Sequence, residues 1–276
     1  MRFLVTGAQG LLGEQVVRQL IFGGAEVIAS GRRTAPSLYC CDLTDLSDVR
    51  AMLAAVRPDR IIHCAANVPQ SSAEYNNGNR AKESLRLLEN LLLACACPVV
   101  FMSSMTVYGP THERPVREED GGQPQSTYGE GKWQAELLLR THDHPTLAIR
   151  IPGLFGPARR SGLVYNVLYA LKQGLALPKM PDAPVLWSAM HVSDAAAGVV
   201  KLANCTIDGH QAINFGYRGR LSINDFVNMA TGMFTRACTN LLKQPEFEFD
   251  LSRAAALGVV PDKTFREALH QFAAEI

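Results

Sequence analysis

The chain carries almost no net charge. Its 276 residues hold 27 Lys+Arg against 26 Asp+Glu, a formal balance of +1. That leaves no bulk electrostatic case for nucleic acid or an anionic membrane surface as a partner. Cysteine offers no framework either. Cys40, Cys41, Cys64, Cys95, Cys97, Cys205 and Cys238 are odd in number, include no C-x-x-C and sit mostly in apolar contexts. A reduced, cytoplasmic protein is the natural expectation. No apolar run is long enough to span a bilayer: the longest region, Leu85 to Met102, is broken by Glu89, Asn90 and Pro98. The first apolar run is too short for a signal peptide and reads as a strand. Metal ligands do not cluster. His142-x-His144 sits in a polar turn with no third ligand nearby, so no metal is expected. What remains, 47% apolar and 19% charged, is the composition of a soluble globular enzyme.

The informative stretch is the amino terminus. Phe3, Leu4 and Val5 form a short apolar run with β-forming character, which reads as a buried parallel strand. From Leu11 the spacing becomes helical, with Leu12, Val16, Val17 and Leu20 on one face. Gly7, Gly10 and Gly13 lie at intervals of three where strand turns into helix. Gly7 permits the tight turn. Gly10 lets a bulky anion approach the backbone, and Gly13 lets the helix pack close to the strand. The free N–H groups of that helix then face the pyrophosphate of a dinucleotide. Between a strand and an amphipathic helix, the trio is far more specific than glycines alone.

A second strand reads at Glu26–Ser30, followed by Gly31-Arg32-Arg33. In dinucleotide folds an acidic residue here binds the ribose 2′-hydroxyl, and arginine accommodates a 2′-phosphate. With no carboxylate and two guanidinium forks, NADP is favoured over NAD. A solvated basic loop is the alternative. Asp42-Leu43 closes a third short strand. Further along are a helix at Ser47–Val56, a strand at Arg60–Cys64 and a polar loop at Pro69–Gly78. Helices at Asn79–Cys97 and Tyr128–Arg140 carry leucines on more than one face, so they are buried or paired with a partner. Between them a strand at Val99–Ser103 ends in Ser103-Ser104, where open parallel sheets bind ligands. Tyr128 and Lys132, four apart on a helix, address one pocket. Leu147–Arg150 reads as a sixth strand. Beyond Ile151 the pattern loosens. Helices are expected at Val164–Gln173, Ser193–Ala203, Ile223–Phe234 and Lys263–Ala274, and strands near Val185–Met190 and Gln211–Phe215. Ser222 and Asp225 resemble a capping box. Glu118-Glu119-Asp120 reads as a solvated loop, and His191 as a packed or capping histidine.

Taken together, these segments resemble the extended short-chain dehydrogenase/reductase family, also called the NAD-dependent epimerase/dehydratase family. The resemblance covers nearly the whole chain. It rests on the glycine trio, Asp42-Leu43, His63-Cys64-Ala65-Ala66, the run from Ser103 to Gly109, Tyr128-x-x-x-Lys132 and Gly156-Pro157. It implies an α/β fold, a Rossmann-type doubly wound parallel sheet with a small C-terminal substrate lobe. Residues 1–150 would bind the dinucleotide. Residues 151–276 would mainly form the lobe, with returning segments near 185–215.

The resemblance also implies the site. Cofactor contacts would come from Gly7, Gln9, Gly10, Leu11, Leu12, Gly13, Arg32, Arg33, Asp42, Leu43, Cys64, Ala65, Ala66, Asn79, Ile151, Tyr128 and Lys132. Asp42 would meet the adenine amino group, although helix capping is the other reading of an aspartate there. Tyr128 would exchange a proton with the substrate oxygen, Ser104 would hold that oxygen, and Lys132 would bind the nicotinamide ribose. Ser103 is the fallback for Ser104. Lys132 and a positive nicotinamide would bring the phenol down from its usual value of about 10. Asn79 would support a water leading to Lys132, with a one-residue ambiguity in register. The substrate pocket would include Val68, Met105, Thr106, Gly153 and Trp187, and the helices at 79–97 and 128–140 would pair a homodimer.

Two departures matter. Gly153 stands where many nucleotide-sugar members carry asparagine, and Trp187 stands where many carry a diphosphate-binding arginine. Arg159, Arg160, Arg218 or Arg220 would have to compensate, and Trp187 either stacks on a ring or fills the core. The departures tilt the reading toward a reductase or dehydrogenase using NADP(H) on a small secondary alcohol or ketone. The alternatives are a nucleotide-sugar epimerase or dehydratase that recycles its cofactor in place, and a non-catalytic dinucleotide sensor or scaffold.

Overall fold

A computed structural model describes residues 1–69, 71–109, 113–234 and 242–276, with the side chains of 72 and 73 not described. Cys238 and the start of the loop at Pro110 lie outside the described residues. The strands are β1 (Arg2–Thr6), β2 (Glu26–Gly31), β3 (Leu38–Cys40), β4 (Arg60–His63), β5 (Val99–Ser104), β6 (Thr146–Ile151), β7 (Gly153–Phe155), β8 (Ala189–His191) and β9 (His210–Asn214). The helices are α1 (Leu11–Phe22), α2 (Leu46–Val56), α3 (Gly78–Ala94), α4 (Thr127–Leu139), α5 (Leu163–Lys172), α6 (Val192–Asn204), α7 (Ile223–Met233), α8 (Ser252–Ala256) and α9 (Phe265–Glu275).

Seven strands form one parallel sheet in the order β3-β2-β1-β4-β5-β6-β9. This is the doubly wound arrangement, and its order reverses between β1 and β4. The short apolar runs are strands because the sheet is covered on both faces. Phe3 and Val5 point into a core with Val16 and Leu20 of α1 and Val199 of α6. Leu4 points the other way, against Val49 and Met52 of α2 and Leu88 of α3.

Several elements depart from the sequence reading. β3 stops at Cys40, so Asp42 lies in the loop that follows. The expected strand at 185–190 is only Ala189–His191, and it pairs with the unforeseen β7 in a separate two-stranded ribbon. The segment that does rejoin the main sheet is β9, parallel to β6. The broad apolar girth of α3 and α4 reflects packing within the chain. Leu87, Leu88, Leu91 and Leu92 share one buried cluster with Ala135 and Leu139. Leu93, 68% exposed, is the large apolar side chain of α3 left outside.

Candidate active site

The site is built where β1 and β4 part. Gly7 adopts φ +67°. A Cβ there would lie 2.6 Å from the Ala65 amide nitrogen, so only glycine lets the two strand ends meet. A Cβ on Gly13 would fall 2.2 Å from the Gly7 carbonyl oxygen, which is why α1 packs so close. Gly10 is different. A Cβ on it would meet only that same oxygen, at 3.2 Å, and is otherwise clear. α1 starts there with no side-chain cap. An uncapped, positive helix end beneath an open glycine suits a pyrophosphate, so the residues present fit a dinucleotide.

At the adenosine side, the Ala8 N–H donates to the Ser30 carbonyl at 3.0 Å, tying the glycine loop to the end of β2. Arg32 and Arg33 are both exposed. Arg32 lies 3.7 Å from Glu83 of α3. Asp42 is exposed, and its Oδ1 accepts from the Thr44 N–H and hydroxyl at 2.9 and 2.8 Å. Those bonds, aided by Arg32 and Arg86, hold its carboxyl below the usual carboxylate range. Asp45, not Asp42, caps α2. Leu43 is buried.

At the other end, α4 presents Tyr128 and Lys132 to the carboxyl end of β5. Lys132 is buried, and its Nζ donates to the Met102 carbonyl at 2.7 Å. It sits 4.7 Å from the Phe101 ring centroid and 5.8 Å from that of Tyr128. Burial pulls its pKa to about 8, with Cys64 and Glu136 opposing the fall. Ser104 Oγ accepts from the Thr106 N–H at 3.2 Å and lies near enough to Tyr128 to favour its ionised form. Ser103 points to the other face of β5 and donates to Glu136, which removes it as the fallback. Burial also pushes the Tyr128 phenol up, with Tyr75 adding to the rise and Ser104 and Arg159 opposing it. The protein's own groups therefore do not produce the expected lowering.

Two residues here escaped the sequence reading or had another role in it. Tyr75 packs edge-on to Tyr128, ring centroids 5.6 Å apart. Its only signal was an aromatic residue within a polar loop. Arg159, considered only as a diphosphate ligand, contributes positive charge near both phenols. Its Nη1 donates to the Leu154 carbonyl at 3.1 Å, and its buried Nε has no partner.

The remaining predicted residues fall as follows. Cys64, Ala65 and Ala66 follow β4 and are partly buried, and burial raises the Cys64 thiol to about 12. Ile151 pairs in register with Ser104. Met105 is buried, Thr106 donates its hydroxyl to Ser104 at 3.0 Å, and Val68 and Gly153 are exposed. Asn79 is exposed, its N–H donating to the Asn77 cap at 3.2 Å. Trp187 packs on Phe226 at 5.1 Å and Phe265 at 6.0 Å, the core-filling alternative. His191 caps α6, as expected. Glu118 corrects an expectation: it is buried, accepting the Asn214 N–H at 2.8 Å. His142 contacts Cys95 at 3.3 Å. Among the described residues no His, Cys, Asp and Glu cluster suits a metal, and no helix is long and apolar enough to cross a membrane.

Comparison with known proteins matches residues 3–216 to the model of the NAD dependent epimerase/dehydratase family. The methionine adenosyltransferase 2 subunit beta of Bos taurus is 30% identical over 171 residues, covering 58% of this chain and 48% of its own length. A probable dTDP-4,6-dihydroxy-2-methyloxan-3-one 4-ketoreductase of Streptomyces antibioticus is 33% identical over 165 residues, covering 58% and 54%. The chain thus spans about half the length of the curated relatives it matches. Thermus thermophilus UDP-glucose 4-epimerase in complex with NAD superposes with a TM-score of 0.85 at 20% identity, covering 100% of this chain and 98% of its own. DesIV, a dTDP-glucose 4,6-dehydratase from Streptomyces venezuelae with NAD bound, gives 0.84 at 21%, covering 100% and 96%. At these identities the likeness shows the fold.

Proposed function

This chain belongs to the NAD dependent epimerase/dehydratase family, and we propose that it is a reductase exchanging NADP(H) at each turnover, acting on the ketone of a sugar-like or other small molecule. The observation that carries the reading is the placement of Tyr128 on α4 at the carboxyl end of β5, with the buried Lys132 Nζ 5.8 Å from its ring centroid. With an ordinary value of about 10 the phenol is protonated at neutral pH, and burial pushes it further up while Ser104 opposes the rise. A protonated phenol is poised to give a proton to a carbonyl oxygen, which is the reducing direction. The bound nicotinamide supplies the hydride. Ser104 holds the substrate oxygen, Tyr128 protonates it, and Lys132 orients the nicotinamide ribose. The 4-ketoreductase among the relatives supports the same direction. The core-filling Trp187 and the bare Gly153 weigh against a nucleotide diphosphate held in the family's usual way.

In this reading residues 1–150 with β9 carry the cofactor, and 151–276 mainly form the substrate lobe. Two copies pair through the 79–97 and 128–140 helices, with Leu93 and Leu137 among the exposed apolar side chains on offer. The six described cysteines are free, which suits the cytoplasm. A second reading is a non-catalytic dinucleotide sensor or scaffold, and a relative named as a subunit of a larger enzyme is compatible with it.

Cofactor choice is tested by titrating the purified protein with NADPH and NADH. NADPH is expected to bind at least about tenfold more tightly, since guanidinium–phosphate bonds are charge-assisted. Equal or tighter NADH binding would remove the basis for the arginine argument.

A second expected result concerns pH. The titratable groups facing Lys132 are Cys64, His63, Glu136 and Tyr128. Burial holds His63 down at about 3 and Cys64 up at about 12, both outside the working range. Lys132 loses its proton near 8. The kcat/KM profile is therefore expected to fall on the alkaline side with an apparent pKa near 8, the ammonium being the active form. A flat profile to pH 10 would contradict this role for Lys132.

A further inference from the structure

Glycine at position 31 leaves a space, and the side chain of Gln9 fills it. A Cβ built on Gly31 lies 2.8 Å from Gln9 Oε1 and 3.2 Å from its Cδ. The same Oε1 accepts the Arg33 N–H at 3.3 Å. The Ala8–Ser30 bond brings Gln9 within reach by docking the glycine loop on β2. One side-chain amide thus clasps the turn after β1 to the turn after β2, where two exposed guanidinium groups emerge. Arg32 leans on Glu83. Arg33 has no carboxylate within ion-pair distance among the described residues, which leaves its charge available for a ligand.

We propose that Gln9 is a positioning residue for cofactor choice: its amide oxygen fixes the peptide that carries the Arg33 guanidinium, and a side chain at position 31 would crowd that amide as well as Leu38 Cδ2 at 3.2 Å. This inference rests on the NADP reading. It makes the two positions a coupled pair. Loss of the Gln9 amide and addition of a methyl at 31 break the same clasp, so one loss is spent only once.

Binding to the purified chain provides the test, with adenosine 2′,5′-bisphosphate and 5′-AMP as calorimetric probes. Both fragments report the adenosine end without turnover. Wild type is expected to prefer the bisphosphate. Gln9→Ala and Gly31→Ala should each weaken bisphosphate binding roughly fivefold, the scale of one lost hydrogen bond, and weaken 5′-AMP, which lacks the 2′-phosphate, by less than half as much. The double variant should be no weaker than either single one, the signature of a shared contact. Wild-type bisphosphate affinity in Gln9→Ala, equal losses for both probes, or additive losses in the double variant overturn the proposal. Gln9 is exposed, so Gln9→Ala decides the matter even if Gly31→Ala folds poorly. A wild type that does not distinguish the two probes has a different meaning: the NADP reading itself then fails.

Discussion

Tyr128→Phe is expected to fold like the wild type, bind cofactor normally and lose about a thousandfold or more in turnover. The hydroxyl is the one atom the substitution removes. The ring stays, and with it the edge-on contact to Tyr75 at 5.6 Å. Ser104 is not orphaned, because its Oγ keeps the two bonds from Thr106 at 3.2 and 3.0 Å. The stability change is therefore expected to stay within about 1 kcal/mol, the net value of a single hydrogen bond. The rate loss is set by different physics. A positioned general acid contributes about 10²–10⁴-fold, and the Lys132 ammonium is engaged by the Met102 carbonyl at 2.7 Å. The buried His63 is held down at about 3, and its Nδ1 lies 2.8 Å from Thr6 Oγ1. Single-turnover oxidation of NADPH, followed by absorbance beside a thermal melt, separates the two effects. Turnover within a few-fold of wild type would sink the assignment of Tyr128 as proton donor. A wild type that binds NADPH and turns over no ketone points instead to the non-catalytic sensor or scaffold.

The parts of this site legible in the sequence were those fixed by local geometry. The glycine trio, the apolar β1 and the Tyr128–Lys132 spacing each express a constraint acting within about a dozen residues. Ser103 and Ser104 could not be separated that way, since strand alternation sends them to opposite faces and only the partners reveal which face holds the site. Ser103 meets Glu136, and Ser104 meets Tyr128. Glu118 misled for a related reason. A run of three acids in a loop is usually solvated, but here Asn214, 96 residues away, supplies the N–H that allows burial. Trp187 was left between stacking on a ring and filling the core until its contacts with α7 and α9 were seen, and Tyr75, packed edge-on to Tyr128 of α4, gave no periodic signal. β7 and β8 span three residues each, too few to show alternation. The double-sided leucines of α3 and α4 left burial and a partner copy open, and Leu87, Leu88, Leu91 and Leu92 pack with Ala135 and Leu139 inside the chain.

Arg150→Met is expected to cause the largest loss of stability, about 3–5 kcal/mol, the usual cost of breaking a buried ion pair by removing one member. Arg150 is fully buried. It holds Glu136 through two bonds, Nε to Oε1 at 2.9 Å and Nη2 to Oε2 at 2.6 Å. Its Nη1 donates to the Tyr108 hydroxyl at 2.8 Å and the Glu118 carbonyl at 2.7 Å. One guanidinium thus joins β6, α4 and the turns on either side of the loop between them. Without it, the Glu136 carboxylate is left buried with Ser103 as its remaining donor. The sign of the pH response follows. A lone buried carboxylate has its pKa raised. Between the ordinary glutamate value of about 4.3 and that raised value, the folded variant holds a proton the unfolded chain has released. Its stability therefore rises as pH falls, and the deficit against wild type should be smaller at pH 5.5 than at pH 7.5. Urea unfolding at the two pH values measures both quantities. Replacing the pair together, Arg150→Met with Glu136→Leu, should recover much of the loss, because no charge is then stranded. A double variant as unstable as Arg150→Met alone would mean that the bonds to Tyr108 and Glu118, not the ion pair, hold α4 in place. The helix so anchored carries Tyr128 about two turns and Lys132 about one turn before Glu136, so the double variant also separates stability from chemistry. If the pair serves only to seat α4, its kcat/KM should return along with its unfolding midpoint.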